Sequence, residues 1–326
     1  MKAEVIRLLR ECDTYLSGQE LCESLHVSRT AVWKVIKQLK EEGYAIEAVR
    51  NKGYYLVESA DVLTAAEIRS CMKSRWMGHK VEFREETDST NTEARRQAEK
   101  GALDGTLVVA ECQTAGKGRR GRHWTSPAGT GIWMSLVLKP KLEPSCAPML
   151  TLLAGLAVSV GIEDYCGLKP QIKWPNDLTL EGKKICGILT EMSADMEMIQ
   201  YVVVGIGINV NIEEFPEEIA RTATSLYLET GKKLKRSGMI ACIVKRMEEY
   251  YEKFLSMADL SCIQEDYEER LVNLNREVLV LASKDEYKGI CRGINKTGEL
   301  LVEREDKSIS QVMSGEVSVR GVYGYV

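Results

Sequence analysis

The sequence of 326 residues predicts an α+β protein in three parts, and three observations carry that prediction. Residues 1–60 hold short helical patterns that end in an alternating hairpin pattern, the order of a winged helix-turn-helix. Residues 61–272 interleave strand and helix patterns, which predicts a mixed sheet with helices packed on it. Residues 273–326 turn to short strands divided by turn residues, which predicts a small SH3-like β-barrel.

In the first part, Val5, Ile6, Leu8 and Leu9 recur at helical spacing. Ser17 is placed to cap a second helix from Gly18 to Leu25, and His26-Val27 makes a tight turn. Ser28 then caps a third helix that runs to about Lys40. On it Val32, Val35, Ile36 and Leu39 fall at i, i+3, i+4 and i+7 and form the buried face. Arg29, Thr30, Trp33, Lys34 and Lys37 are left facing outward. Two short helices joined this way, the second basic on its free face, make a helix-turn-helix. Beyond Gly43, YAIEAVRNKGYYLV alternates around an NKG turn and reads as the wing. Between Ser28 and Lys52 the cations are Arg29, Lys34, Lys37, Lys40, Arg50 and Lys52, against Glu41, Glu42 and Glu47. The net charge of the whole chain is −4, so phosphate contact belongs to this patch, with Ser28 at its edge. The plainer alternative is a helical packing module with a solvated charged face.

SADVLTA (59–65) reads as a linker, with Thr64 capping a helix that begins AAEIRSCM. VEFREE, TLVVAECQ, IWMSLVL, QIKW, KKICGILTEM and YVVVGIGINV follow as strands. PMLTLLAGLAVSVGIEDY reads as a buried helix and KRMEEYYEKFL as an amphipathic one. In the last part REVLVLA, EYKGICRGI, GELLVERED and SISQVMSGEVSVRGV are strands, separated by turns such as Lys296-Thr297-Gly298.

Three segments of the middle part carry chemistry. TDSTN (87–91) gathers hydroxyls and an amide at a strand end. In GKGRRGRHW (116–124), Lys117, Arg119, Arg120 and Arg122 cannot pack a core, while Gly116, Gly118 and Gly121 discourage a helix. Such a loop is either plain solvated surface or a closure over an anion. KWPNDLTLEGKKICGIL (173–189) sets a rigid turn beside one cation and one carboxylate, then two lysines before a glycine-centred strand. Together they suit a ligand with an apolar body and an anionic end, beside a second, phosphate-bearing substrate. The loop is not a P-loop, because Glu111 stands where the first glycine of GxxxxGK[ST] belongs. GIGIN (205–209) lacks the third glycine of a dinucleotide fingerprint, and no helix pattern follows it. The bland readings are a turn that only shapes the sheet for WPND and a strand-end turn for Asn209.

Composition excludes several classes. No apolar run reads as a membrane span, and the first residues lack a signal peptide's apolar core, so a cytoplasmic protein is expected. Ten cysteines are scattered from Cys12 to Cys291 without a CxxC pair, and His26, His79 and His123 are dispersed. Reduced core thiols, and no protein-built metal site, follow from that pattern.

AGKGRRGRHW resembles the glycine- and arginine-rich loop of biotin protein ligases, and KWPND is similar to their second signature. TDSTN, KKICGIL and GxGxN occur in the family's order, so the resemblance runs nearly full length and, with the N-terminal reader, points to the bifunctional ligase and biotin-operon repressor. Such a protein joins biotin to a lysine of a biotin carboxyl carrier domain through biotinyl-5′-AMP, using ATP and Mg²⁺. It binds operator DNA as a homodimer induced by the adenylate. By resemblance, Ser89, Thr90, Asn91, Gln113, Lys117, Gly118, Arg119, Lys184 and Gly187 bind biotin, with Arg119 and Lys184 catalytic. Arg120, Arg122, Trp124, Lys173, Asn176, Asp177 and Asn209 fall to ATP, Trp124 covering the adenine and Asn209 hydrogen-bonding it. One departure is Lys117, where the family commonly has Arg; the charge stays but the bidentate fork is lost. The rivals are a lipoate- or octanoate-type ligase with the same acyl-adenylate chemistry, and an effector-binding transcription factor without turnover.

Overall fold

The computed structural model describes residues 1–57, 61–281 and 286–314, and the backbone of 318–321. Ser59 and Ala60 of the expected linker, and parts of the last expected strands, lie outside the described residues.

Helices α1 (Lys2–Glu11), α2 (Gly18–Leu25) and α3 (Arg29–Glu41) form the reader. Ser17 and Glu20 cap α2 reciprocally: the Glu20 N–H donates to Ser17 Oγ at 3.1 Å and the Ser17 N–H to Glu20 Oε2 at 2.8 Å. His26 closes α2 in the left-handed region, φ 53°, and the Ala31 N–H donates to Ser28 Oγ to start α3. A lost cap of this kind costs about 1 kcal/mol. Val32, Val35, Ile36 and Leu39 are buried against Val5, Ile6, Leu9 and Leu21. Strands β1 (Ile46–Val49) and β2 (Gly53–Leu56) pair antiparallel as the wing. Gly53 has φ +118°, and a Cβ there would stand 2.1 Å from Leu16 O, so the position requires glycine.

Helix α4 (Ala65–Cys71) follows, its Glu67 N–H donating to Thr64 Oγ1. Ala66 belongs to the reader's core, and the buried Glu67 accepts from Tyr44 Oη at 2.9 Å and pairs with Arg10 at 2.5 Å. The reader is thereby fastened to the rest of the chain.

Strand β3 (Val81–Thr87), helix α5 (Thr90–Glu99) and strand β4 (Thr106–Gln113) form a parallel crossover unit. Strand β5 (Gly131–Leu138) precedes helix α6 (Ala147–Cys166). Strands β6 (Gln171–Lys173), β7 (Asp177–Leu180), β8 (Lys183–Ala194) and β9 (Ile199–Asn209) complete a seven-stranded sheet of order β3-β4-β5-β9-β8-β7-β6. Beyond it lie short helices α7 (Glu217–Ala220) and α8 (Leu226–Thr230), the long α9 (Arg236–Met257) and α10 (Gln264–Arg270). Only β3 and β4 pair in parallel; the other neighbours are antiparallel.

Strand alternation divides the sheet into two unlike faces. Val202, Val204, Ile206 and Ile208 of β9 face the main core with α6 and α9. On the opposite face Val203 packs with Val108, Val137, Ala94 and Ala98 beneath α5. Farther along that face β9 offers Gly205 and Gly207 instead, so a trough opens past the end of α5.

The segment Pro144–Cys166 is long and apolar enough to cross a membrane by length and composition, which corrects the expectation that no run is. Here 72% of its apolar window is buried within the protein, as a core helix of the sheet.

Strands β10 (Glu277–Leu281), β11 (Glu286–Ile294), β12 (Leu300–Glu303), β13 (Ile309–Val312) and β14 (Ser318–Gly321) form an antiparallel sheet of order β13-β12-β11-β10-β14. It leans on the larger sheet: Trp174 Nε1 donates to Gly298 O at 3.0 Å, and Val278, Val280 and Cys291 continue the main core.

Candidate active site

A row of paired residues crosses five strands on the trough face. Trp133 of β5 lies opposite Gly207 of β9, Gly207 opposite Gly187 of β8, Gly187 opposite Asp177 of β7, and Asp177 opposite Lys173 of β6. Two adjacent glycines remove the side chains that would fill the middle of this row. The indole of Trp124 lies on them: a Cβ at Gly207 would stand 2.6 Å from Trp124 Nε1, and one at Gly187 3.1 Å from its ring. Lys184 Nζ sits 5.2 Å from the centroid of that ring, and Trp133 meets it edge-on at 6.5 Å. Trp124 Nε1 is buried with no hydrogen-bond partner among the described residues.

The basic loop is a narrow hairpin. Gln113 pairs with Ser126 and Lys117 with His123, and the Gly118 N–H donates to Arg122 O at 2.7 Å. A Cβ on Gly116 would stand 2.3 Å from Trp124 O, so glycine is required where the two stems touch. At the tip, Arg119 Nη1 donates to Asn176 Oδ1 at 2.8 Å and its Nη2 to Ser314 O. Burial and the neighbouring Arg120 lower the Arg119 pKa, against the pull of Asp177. Arg120 and Arg122 are exposed.

Two cavities adjoin here. The smaller, about 50 Å³, is lined by Ser89, Thr90, Asn91, Gln113, Lys117, Gly118, Arg119, Lys184 and Gly187, with Trp124 as part of its wall. Its polar lining is held firmly. The Thr90 N–H donates to Gln113 Oε1 at 2.8 Å, and Gln113 Nε2 to Ser126 Oγ at 2.7 Å. Ser135 Oγ donates to Asn91 Oδ1 at 2.7 Å, and Asn91 Nδ2 to Glu191 Oε2 at 2.7 Å. Gly205 makes room for Asn91, since a Cβ there would stand 1.9 Å from its Oδ1. The glycines of GIGIN therefore serve close packing beneath a ring and an amide.

The larger cleft, about 700 Å³, is lined by Arg120, Arg122, Trp124, Lys173, Asn176, Asp177 and Asn209. Asp177 Oδ1 accepts from Lys184 Nζ at 2.6 Å and from Asn176 Nδ2 at 3.1 Å. A β-bulge at Ile185, where Leu178 pairs with Cys186 but Thr179 with Lys184, brings Lys184 onto the face of Gly187 and Asp177, while Lys183 is exposed. Asn209 is buried, and its Nδ2 donates to Thr224 O at 3.1 Å. The Trp174–Pro175 peptide is cis. Gly118, Arg119, Trp124, Asn176 and Lys184 line both cavities and form their junction.

The cleft has an outer wall for which sequence reasoning offered no reading: Ile212, Phe215, Pro216, Ile219 and Ala223. It is bound to the sheet by a bridge between Lys184 and Ala223, with the Lys184 N–H donating to Thr222 O at 2.8 Å. The available signal was a set of apolar residues recurring within an acidic stretch, IEEFPEEIA.

On the reader, Arg29, Thr30, Trp33, Lys34 and Lys37 are exposed on α3, and Ser28 stands at its cap. Trp33 is 57% exposed, with Lys37 Nζ 5.8 Å from its ring centroid.

A Biotin/lipoate A/B protein ligase family model matches residues 83–209, an HTH domain model residues 2–55, and a Biotin protein ligase C terminal domain model residues 274–320. The bifunctional ligase/repressor BirA of Bacillus subtilis (strain 168) is 38% identical over 324 residues, 98% of this chain and 98% of its own. The chain belongs to the BirA family. BirA of Escherichia coli (strain K12) is 32% identical over 305 residues, covering 93% of this chain and 92% of its own. The biotin protein ligase from Aquifex aeolicus, solved in complex with biotin and ATP, aligns with a TM-score of 0.65 and 35% identity over 74% of this chain and 99% of that one. The first family model spans every residue that lines the smaller cavity and stops short of the outer wall at 212–223.

Proposed function

We propose that this BirA-family chain joins biotin and ATP into biotinyl-5′-AMP, transfers the biotinyl group to a lysine of a biotin carboxyl carrier domain, and represses transcription from an operator. The observation that carries this reading is the junction, where two cations, Arg119 and Lys184, line both cavities at once. Two anions must meet for this reaction: a carboxylate oxygen attacks the α-phosphorus, the P–O bond to pyrophosphate breaks, and pyrophosphate leaves. Fixed cations at the meeting point stabilise the charge that builds there. The lysine amine then attacks the acyl carbon, an amide forms as the amine's proton passes to solvent, and AMP departs with the electron pair.

The smaller cavity suits the biotin rings. Ser89, Thr90, Asn91 and Gln113 supply polar atoms for the ureido group, and the glycine row supplies a flat floor. At about 50 Å³ it lies far below the several hundred Å³ usual for ligand sites, so it widens when filled. The parts free to yield are on the loop, Lys117 to Trp124. The unpartnered Trp124 N–H supports a ligand acceptor nearby. Arg120, Arg122, Lys173, Asn176 and Asn209 suit the nucleotide, and Trp124 with the apolar outer wall suits its base. Mg²⁺ fits the cleft on its donor chemistry: Asp177 and Glu214 are carboxylates lining it, and the ion commonly takes one or two carboxylates plus phosphate oxygens. Bound there, it supplies charge neutralisation on the phosphates.

Incubating the protein with biotin and Mg-ATP, then with lipoate and Mg-ATP, tests the reading by mass spectrometry of the bound product. Biotinyl-AMP from the first and nothing from the second is expected. A lipoyl adenylate alone would move the chain to the rival ligase, and no adenylate would leave a ligand-binding regulator.

Repression also asks for a second copy, because the reader's local patch of charge is small for selective operator binding. A homodimer induced by biotinyl-5′-AMP would place two readers on a palindromic site. Sedimentation should show the mass doubling only when the adenylate is present.

A further inference from the structure

Behind the two cavities lies a cluster of buried charge that lines neither. Arg236, the first residue of α9, has 2% of its side chain exposed. Its Nε donates to Asp61 Oδ2 at 2.5 Å, and its backbone N–H to Asp61 Oδ1 at 2.9 Å. Its Nη1 donates to Glu111 Oε1 at 3.0 Å and to Gly131 O at 3.2 Å. Glu111 Oε1 also accepts from the Gly129 N–H at 2.6 Å.

Position gives these contacts their meaning. Glu111 is on the stem that enters the basic loop, two residues before the Gln113–Ser126 pair, while Gly129 and Gly131 are on the stem that leaves it. Asp61 belongs to the short stretch joining the reader to α4. One rigid five-donor fork thus holds both stems of the loop and the connection to the reader. The next residue, Ser237, lies 3.4 Å by its Oγ from Glu67 Oε1, and Glu67 holds Arg10 and Tyr44 of the reader. Asn211, at the foot of the cleft's outer wall, donates to Asp61 Oδ2 at 3.4 Å and accepts from the Leu234 N–H at 2.9 Å.

We propose that Arg236 is a positioning residue that sets the stems of the basic loop and passes their state to the DNA reader through Asp61. The proposal rests on the ligase reading only in taking biotin and ATP as what fills the cavities. The smaller cavity must widen to admit a ligand, and that displaces a loop whose stems end on one buried guanidinium. Arg236 is buried and shared among these partners, so a change at one of its contacts strains the others, because solvent scarcely reaches the guanidinium to replace a lost partner. The loop's two arrangements therefore bias where Asp61, and the segment it begins, can rest.

Hydrogen exchange on the full-length protein tests this without an operator fragment. In the wild type, biotin with Mg-ATP should slow exchange in the loop (114–130) and also in 61–71. Asp61→Asn removes the charge on the reader's side and leaves Arg236 on Glu111. It should keep loop protection and the KM for biotin within about twofold, while ligand-induced protection at 61–71 falls by about fivefold or more, the scale of ordinary site-to-site coupling. Arg236→Lys keeps the charge but loses the fork, and should raise the KM for biotin about tenfold with kcat within about twofold. If Arg236→Lys does not fold, Asp61→Asn decides alone, its side chain being partly exposed at 19%. Loop protection without protection at 61–71 in the wild type, or unchanged protection there in Asp61→Asn, overturns the proposal and spares the ligase reading. Failure of the wild type to form adenylate overturns the ligase reading and this proposal with it.

Discussion

The smaller cavity has its floor on strands and strand ends held by paired neighbours, with Gly205 beneath Asn91, Gly187 and Gly207 beneath Trp124 and Gln113 between Thr90 and Ser126. It takes one side, Lys117 to Arg119 and Trp124, from the basic loop. The larger cleft shares the sheet as its floor but takes its outer wall from Ile212 to Ala223, which touches the sheet through the Lys184–Ala223 bridge and a few backbone bonds. One cavity is preorganised by the sheet, and the other is closed by a segment laid against it. The difference teaches where each substrate's binding energy resides. Recognition in the smaller cavity depends on polar atoms already in place, whereas the cleft gains much of its hold from apolar surface laid against the sheet.

The largest effect should come from breaking the junction, where that distinction vanishes. Lys184 is held by Asp177 against the Trp124 ring, between carboxylate and phosphate sites. Lys184→Ala should lower adenylate formation by about 10²–10³-fold, the loss typical of a fixed group that stabilises developing charge. Lys183→Ala, its exposed neighbour at the start of β8, should stay within about twofold. Rates of pyrophosphate release compare the two, and the reverse ranking would remove Lys184 from the chemistry.

A middle-sized effect should separate the cavities. Phe215→Ser removes apolar surface from the outer wall and leaves the smaller cavity untouched. Losing most of a buried phenyl contact is worth roughly 1.5–3 kcal/mol, discounted because Phe215 is only half-buried, so the KM for ATP should rise about tenfold. The KM for biotin should stay level. Equal rises in both would mean that the two walls form one unit.

The same division governs what the sequence made legible. Local chemistry wrote the reader and the start of α4: Ser17, Ser28 and Thr64 cap within three residues of their own positions, and Val32, Val35, Ile36 and Leu39 follow helical spacing. On β9 alternation assigns Gly205 and Gly207 one face, but on β8 a bulge between Lys184 and Cys186 breaks the alternation, and Lys184 shares the face of Gly187 only because of it. Strand β7 was hidden inside what reads as the tail of the WPND turn, since four residues, DLTL, carry too little pattern. The outer wall was missed because its α7 is four residues long and its apolar positions sit among acids. The Asp61–Arg236–Glu111 cluster joins residues 175 and 125 positions apart, and no local pattern encodes a pairing that only the packed sheet creates. The loop is the mixed case. Its charges and glycines announced an anion site, but not the Lys117–His123 ladder that folds it into a hairpin.

The smallest effect concerns the residue that departs from the family's usual arginine. Lys117 is exposed at the rim of the smaller cavity, and its Nζ lies 3.4 Å from Thr92 Oγ1 on α5. Lys117→Arg keeps the charge and adds a planar fork able to take a carboxylate with two parallel bonds. Two arguments keep the gain small. The site is open to water, where an extra charged contact is worth well under 1 kcal/mol, and the loop is already laddered there, so little ordering entropy remains to be recovered. The KM for biotin should fall by less than about threefold, a ceiling set by exposed ion pairs. Adenylate dissociation, followed after rapid dilution, should slow by a similar factor. A tenfold or larger gain would show that Lys117 is drawn into the smaller cavity once ligand is bound, and that the rim belongs with the preorganised floor.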